Sequence, residues 1–185
     1  MFRGSDWHEN FARVTHVRLV MLSEAPLFGA GERYFYNPTT PFGAFFHFKD
    51  AEVILGPGFA NGRNGKQFLL PELGRAGFMI LDLFPFALNE DDTPSITYRA
   101  LSAGRYRRLF ERTAPRYFDR KRDLILERGA PTFLFRYGTL QRRLGDLVDA
   151  ELAGRNIPPA QSVGGTNMSL DREKLRRLCQ TPAQD

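Results

Sequence analysis

Three short apolar runs, each closed by turn-forming residues, constrain this chain more than any other feature. VRLVML at 17–22 ends in Ser23-Glu24-Ala25-Pro26, FMILDL at 78–83 ends in Phe84-Pro85, and TFLFRY at 132–137 is left through Gly138. A continuous apolar run of this length is too short for a helix with one wet side. It fits a strand covered on both faces, as in a parallel sheet. A weaker fourth strand is expected at 53–55, ahead of Gly56-Pro57-Gly58.

Helical periodicity fills the intervals at 67–76 (where Pro71 would kink or start the helix), 96–110, 117–128 and 140–152 with Gly154 as its stop. A last helix is expected over 169–179, with Ser169 as N-cap and Leu170, Leu175 and Leu178 as its apolar stripe. Strands alternating with helices imply right-handed crossovers. The expected fold is α/β: a three-layer α/β/α sandwich with a short, mostly parallel central sheet, formed by residues 1–185 as a single domain.

Composition narrows the chemistry. Hydrophobic residues make up 42% of the 185 and charged residues 25%, which excludes disorder as the default. No apolar run approaches the roughly 20 residues that span a bilayer, and the first residues lack a signal-peptide core. A cytoplasmic protein without membrane partners is expected, most simply a monomer. Cys179 is the single cysteine, so an internal disulfide and a multi-cysteine cluster are excluded. His8, His16 and His47 have no metal-ligand spacing, and neither a metal nor an organic cofactor is expected.

Charge is unevenly placed. Residues 1–95 carry 8 basic and 11 acidic residues, whereas 96–185 carry 18 basic and 10 acidic. Within 99–122 lie Arg99, Arg105, Arg107, Arg108, Arg112, Arg116, Arg120, Lys121 and Arg122, interleaved with Tyr98, Tyr106, Tyr117 and Phe118. Arginine forks grip phosphates and stack on bases, so a nucleic acid is the expected partner. A solvated helix face is the alternative. Arg105, Arg108 and Arg112 are the chosen DNA contacts.

In an open α/β sheet, ligands bind beyond the carboxyl ends of the strands. The first such segment offers Glu24, Ala25 and Pro26, then an aromatic stretch with Tyr34, Tyr36 and Phe42. A flat heteroaromatic ring could stack there, or the aromatics simply close the core. Glu24 at a buried strand end is costly unless paired, and an ion pair with Arg33 or another Arg is the structural alternative. The second segment offers Asp82. The third, 162–169, is small and polar, with Gly165, Thr166, Asn167 and Ser169 leading into a helix; backbone N–H groups at a helix start suit a phosphate. Gly29-Ala30-Gly31 lacks the third glycine of a dinucleotide fingerprint, and no Gly-x-Ser-x-Gly elbow marks an α/β-hydrolase.

In this order the segments resemble the uracil-DNA glycosylase superfamily. Ser23-Glu24-Ala25-Pro26-Leu27 resembles the first motif of the members carrying Gly-Glu-Ala-Pro-Gly, and Pro41-Phe42-Gly43 resembles the segment whose Phe stacks on the flipped base. Asp82 stands nearest to the base-reading Asn at the end of the second strand. Phe135-Arg136-Tyr137-Gly138-Thr139 is similar to the strand–Gly–helix step, and 162–169 lies where the family carries its His-Pro-Ser loop. No His-Pro-Ser is present, and an ionised Asp accepts hydrogen bonds but donates none.

The resemblance implies a DNA-repair glycosylase that flips a base and hydrolyses its N-glycosidic bond. Glu24 would be the stabilising or water-orienting carboxylate. Asn167 would donate to the leaving base, Phe42 would stack on it, and Tyr34 or Tyr36 would limit its size. A noncatalytic nucleic-acid- or nucleotide-binding module on the same fold is the alternative.

Overall fold

The computed structural model describes residues 5–25, 34–39, 46–59, 65–86, 98, 100–165 and 169–180. Four parallel strands form its sheet: β1 (Leu19–Ser23), β2 (Phe78–Asp82), β3 (Thr132–Phe135) and the two-residue β4 (Gln161–Ser162), in the spatial order β2-β1-β3-β4. Every residue of β1 and β2 is buried. The continuous apolar runs are therefore strands covered on both faces, and the chain has the expected α/β architecture.

Among the described residues, seven helices surround the sheet: α1 (Ser5–Ala12), α2 (Phe48–Leu55), α3 (Lys66–Arg75), α4 (Ala103–Thr113), α5 (Phe118–Leu126), α6 (Gly138–Ala153) and α7 (Arg172–Gln180). A 3-10 turn (Ala114–Arg116) joins α4 to α5. Helix α2 packs on α3 and α7, and α1 on α3; α4 packs on α6 and on the 3-10 turn. Phe46 stacks on Phe78 with centroids 5.2 Å apart, which seats the first group against β2.

Two glycines let the chain enter the sheet. Gly77 has φ of +75° and Gly129 of +141°. A Cβ on Gly129 would lie 2.7 Å from the Val17 carbonyl oxygen, and one on Gly77 2.9 Å from that of His16. Both positions bring the starts of β2 and β3 against the start of β1, which only a residue without a Cβ tolerates.

Three expectations are corrected. The helix expected over 96–110 starts only at Ala103, where the Ser102 hydroxyl accepts the Arg105 N–H at 3.4 Å and caps it. Residues 53–55 are not a strand; they end α2. Three apolar residues cannot distinguish the two periods, and the deciding contact lies upstream, where the buried Asp50 carboxylate accepts the His47 N–H at 2.9 Å and starts the helix. Ser169 is not an N-cap either. Helix α7 starts at Arg172, and Asp171 accepts the Lys174 N–H at 2.9 Å, while Leu170 pairs with Gly164 in an antiparallel bridge. Pro71 lies inside α3.

Tyr36 closes the outer edge of the sheet. Its hydroxyl accepts from the Ile80 N–H at 2.7 Å and donates to the Ile80 carbonyl at 2.8 Å. The same carbonyl accepts from Trp7 Nε1 at 3.2 Å. An edge strand otherwise leaves such groups unpaired.

Candidate functional site

The strand order makes the connections after β1 and β3 leave in opposite directions. The crevice of an open α/β sheet is expected between those two strand ends. Glu24 and Ala25 follow β1 directly, and Asp82 closes β2 beside them. The Leu83 N–H donates to the Ser23 carbonyl at 2.9 Å and the Phe84 N–H to the Glu24 carbonyl at 3.0 Å, which ties these two strand ends together.

Glu24 is part-exposed. Its Oε1 accepts a 2.6 Å hydrogen bond from the Tyr106 hydroxyl. Tyr106 projects from α4 and is itself buried. Burial, the negative charge of Glu24 and the hydrogen bond to it push the Tyr106 phenol upward, so it stays a donor. The Arg143 guanidinium of α6 stacks 3.4 Å from the Tyr106 ring centroid, held by the Tyr98 and Leu101 carbonyls. The acid is therefore set by a phenol that a cation fixes from behind. Among the described residues no ion pair holds Glu24; Arg33 lies outside them.

Asp82 is buried and points to a second group of polar side chains. Its Oδ1 accepts from the Ser23 hydroxyl. Its Oδ2 is buried without a hydrogen-bond partner. Burial raises its pKa to about 6 against the opposing effects of Ser23 and the nearby Lys121 ammonium. Lys121, on α5, is lowered to about 8 by burial, with Asp82 opposing.

The aromatic and basic segments are sorted by burial. Tyr34 is part-buried, packs edge-on to Tyr36 at 5.7 Å, and its carbonyl accepts from Lys66 Nζ at 2.5 Å. Tyr36 has its hydroxyl engaged on β2, so its polar end belongs to the sheet edge. Tyr98, Tyr106 and Phe118 are buried and offer no face for stacking on bases. Arg122 is also buried, paired with Asp119 and Asp123 and donating to the Glu151 carbonyl. Arg107 forms a fork on Asp146, at 2.7 and 2.6 Å.

Arg105, Arg108 and Arg112 are left exposed. Their spacing puts them on one stripe of α4, away from the buried Tyr106 and Phe110. None of the three joins an ion pair among the described residues.

Gly165 and Ser169 lie beyond the short β4, at the same edge of the sheet. The Gly165 N–H donates to the Ser169 carbonyl at 2.8 Å and closes the turn. A Cβ on Gly164 would lie 3.1 Å from the Arg136 carbonyl oxygen and 3.3 Å from the Gly138 nitrogen, so this turn packs directly on the step from β3 to α6. The start of α7 was expected to suit a phosphate. Asp171 places a carboxylate there instead, satisfying the Lys174 N–H that an anion would have used.

Pro26, Phe42, Thr166 and Asn167 lie outside the described residues. Among those described, no three His, Cys, Asp or Glu side chains converge to hold a metal ion, and no helix is long and apolar enough to cross a membrane. No family model, curated protein or solved structure matches this chain.

The residues that the sequence reading missed are Tyr106 as partner of Glu24 and Arg143 behind it, and the electrostatic influence of Lys121 on Asp82. The basic stretch contains Tyr106 and Lys121, but charge counting does not show which members turn inward.

Proposed function

We propose that this chain is a DNA glycosylase that hydrolyses the N-glycosidic bond of uracil or another deaminated base after flipping it from the duplex. One observation carries the reading. The helix whose buried face fixes the Glu24 carboxylate through Tyr106 displays Arg105, Arg108 and Arg112 on its exposed side. The phosphate contacts and the tyrosine that positions the acid thus share one rigid element.

In the reaction, positive charge develops on the sugar and negative charge on the departing base, as in other glycoside cleavages. Glu24, held at Oε1 by Tyr106, has its other oxygen for the cationic sugar or for the attacking water. Phe42 keeps the stacking role that the family resemblance gives it, and Asn167 takes the base-donor role in place of the family's missing His. The arginine stripe supplies sequence-independent affinity.

The experiment is a strand-scission assay at abasic sites, using oligonucleotides with uracil, hypoxanthine or xanthine. Release from at least one base is expected, with a drop of about 100-fold or more in Glu24→Gln, the usual scale for a positioned acid–base group. Undiminished excision by E24Q removes the role of Glu24. Salt-dependent DNA binding with no abasic product from any base rejects the enzyme in favour of a noncatalytic binding module.

A further inference from the structure

The outward side of α4 continues its row of cations past the end of the helix. Arg116, closing the 3-10 turn, and Arg120, on α5, are exposed like Arg105, Arg108 and Arg112. None of the five joins an ion pair among the described residues. Their neighbours are engaged: Arg107 forks on Asp146, and the buried Arg122 pairs with Asp119 and Asp123. Glu111 is the only exposed carboxylate among the described residues 100–122.

The two helices share one buried seam. Tyr106, Phe110, Ala114 and Phe118 are buried at four-residue intervals, and the Phe110 and Phe118 ring centroids lie 5.8 Å apart across the 3-10 turn. Arg108, Arg112, Arg116 and Arg120 recur at the same interval, two positions out of phase. Two positions are about 200° around a helix, so the cations stay opposite the seam from α4 into α5. Arg108 and Arg112, one turn apart, repel each other, which by itself destabilises a helix. A row of like charges without counter-charges is the footprint of a polyanion.

The rings of the same stretch decide which polyanion. A surface built for single strands sets aromatic faces among its cations, and successive bases stack on them. Here Tyr98, Tyr106, Phe110 and Phe118 are buried. Tyr117 is half-buried, with Lys121 Nζ 4.2 Å from its ring centroid and bonded to its hydroxyl at 2.9 Å. Phe68 and Phe86 are exposed, but they stand on α3 and after β2, as single rings rather than a row. The ridge offers forks for phosphates and no platform for unpaired bases. A duplex presents that pattern, with its bases stacked inside and its phosphates outside.

We propose that Arg105, Arg108, Arg112, Arg116 and Arg120 form one ridge that binds the phosphate backbone of double-stranded DNA in preference to a single strand. The choice of DNA rests on the glycosylase reading; the preference for a duplex rests on the ridge. With five contacts, log K falls with log salt at a slope of about −4.5 on a duplex and about −3.5 on a single strand. For equal affinity at about 1 M salt, that difference favours the duplex about 10-fold at about 0.1 M.

The test is fluorescence anisotropy of the full chain with a labelled DNA duplex free of deaminated bases, its separate strand, and an RNA duplex of the same sequence, over a series of salt concentrations. The expected result is the steeper slope and tighter binding on duplex DNA. Arg116→Gln with Arg120→Gln should make the duplex slope shallower by about 2, with Tm unchanged or raised because like charges are removed. Single-stranded DNA bound as tightly as the duplex, or an unaltered slope in folded R116Q/R120Q, overturns the ridge. Tighter binding of duplex RNA overturns DNA as its partner. Base release is measured separately on deaminated DNA. Duplex-selective binding without release removes only the glycosylase, whereas release without duplex preference removes only the ridge.

Discussion

Replacing Tyr36 with Phe isolates the edge lock of the sheet. Tyr36→Phe keeps the buried ring and deletes one oxygen. That oxygen accepts from the Ile80 N–H at 2.7 Å and donates to the Ile80 carbonyl at 2.8 Å. The carbonyl keeps Trp7 Nε1 at 3.2 Å, so the orphan left behind is the Ile80 N–H. A buried donor without a partner costs about 1–3 kcal/mol and a net hydrogen bond contributes about 1 kcal/mol, for an expected loss of about 2–3 kcal/mol. In a chain of 185 residues that lowers Tm by roughly 5–10 °C. Urea unfolding followed by circular dichroism should show the midpoint falling with the slope unchanged, since the surface exposed on unfolding is the same. A loss below about 0.5 kcal/mol at constant slope would mean that water replaces the hydroxyl at no cost, and the edge-lock reasoning fails.

Other outcomes follow from the same contacts. Arg105→Glu, Arg108→Glu and Arg112→Glu together should weaken DNA binding and flatten its salt dependence by about three counterions, with Tm unchanged to within a few degrees; an unaltered salt slope would place the nucleic acid elsewhere. Asp82 has a folded pKa of about 6, above the usual carboxylate value, so the native state holds a proton that the unfolded chain has lost. Its contribution to stability is full below pH 4 and disappears as pH rises through 6, and Asp82→Asn should flatten that limb of a stability–pH profile. Gly129→Ala should cost about 2 kcal/mol or more, because φ of +141° and a Cβ 2.7 Å from the Val17 carbonyl oxygen leave no room; chemical denaturation measures it.

The three buried strands were legible because each run is almost wholly apolar, short and bounded by turn residues, which fits a strand covered on both faces. Helices α5 and α6 were legible for the same reason at the other period, whereas α4 starts at Ala103 behind its Ser102 cap and not at 96. The segment 53–55 was not. Its helical state is set by a side-chain contact from Asp50 to the His47 backbone, and a three-residue window contains neither partner. In the candidate site, Glu24 and Asp82 were found because parallel strands put their carboxyl ends at one edge, and Arg105, Arg108 and Arg112 because helical spacing gathers them on one stripe.

What the sequence alone determined is the set of elements and the end of the sheet at which its polar residues gather. Those depend on periodicity and turn chemistry, which act over a few residues. Only the tertiary structure decided the pairing of Glu24 with Tyr106, 82 positions along the chain, and the burial of Arg122 in a run whose Arg105, Arg108 and Arg112 face solvent. It also decided that Asp171, not a phosphate, occupies the start of α7. Such pairings are selected by which desolvated groups find partners once the layers close, and that choice has no counterpart in local sequence.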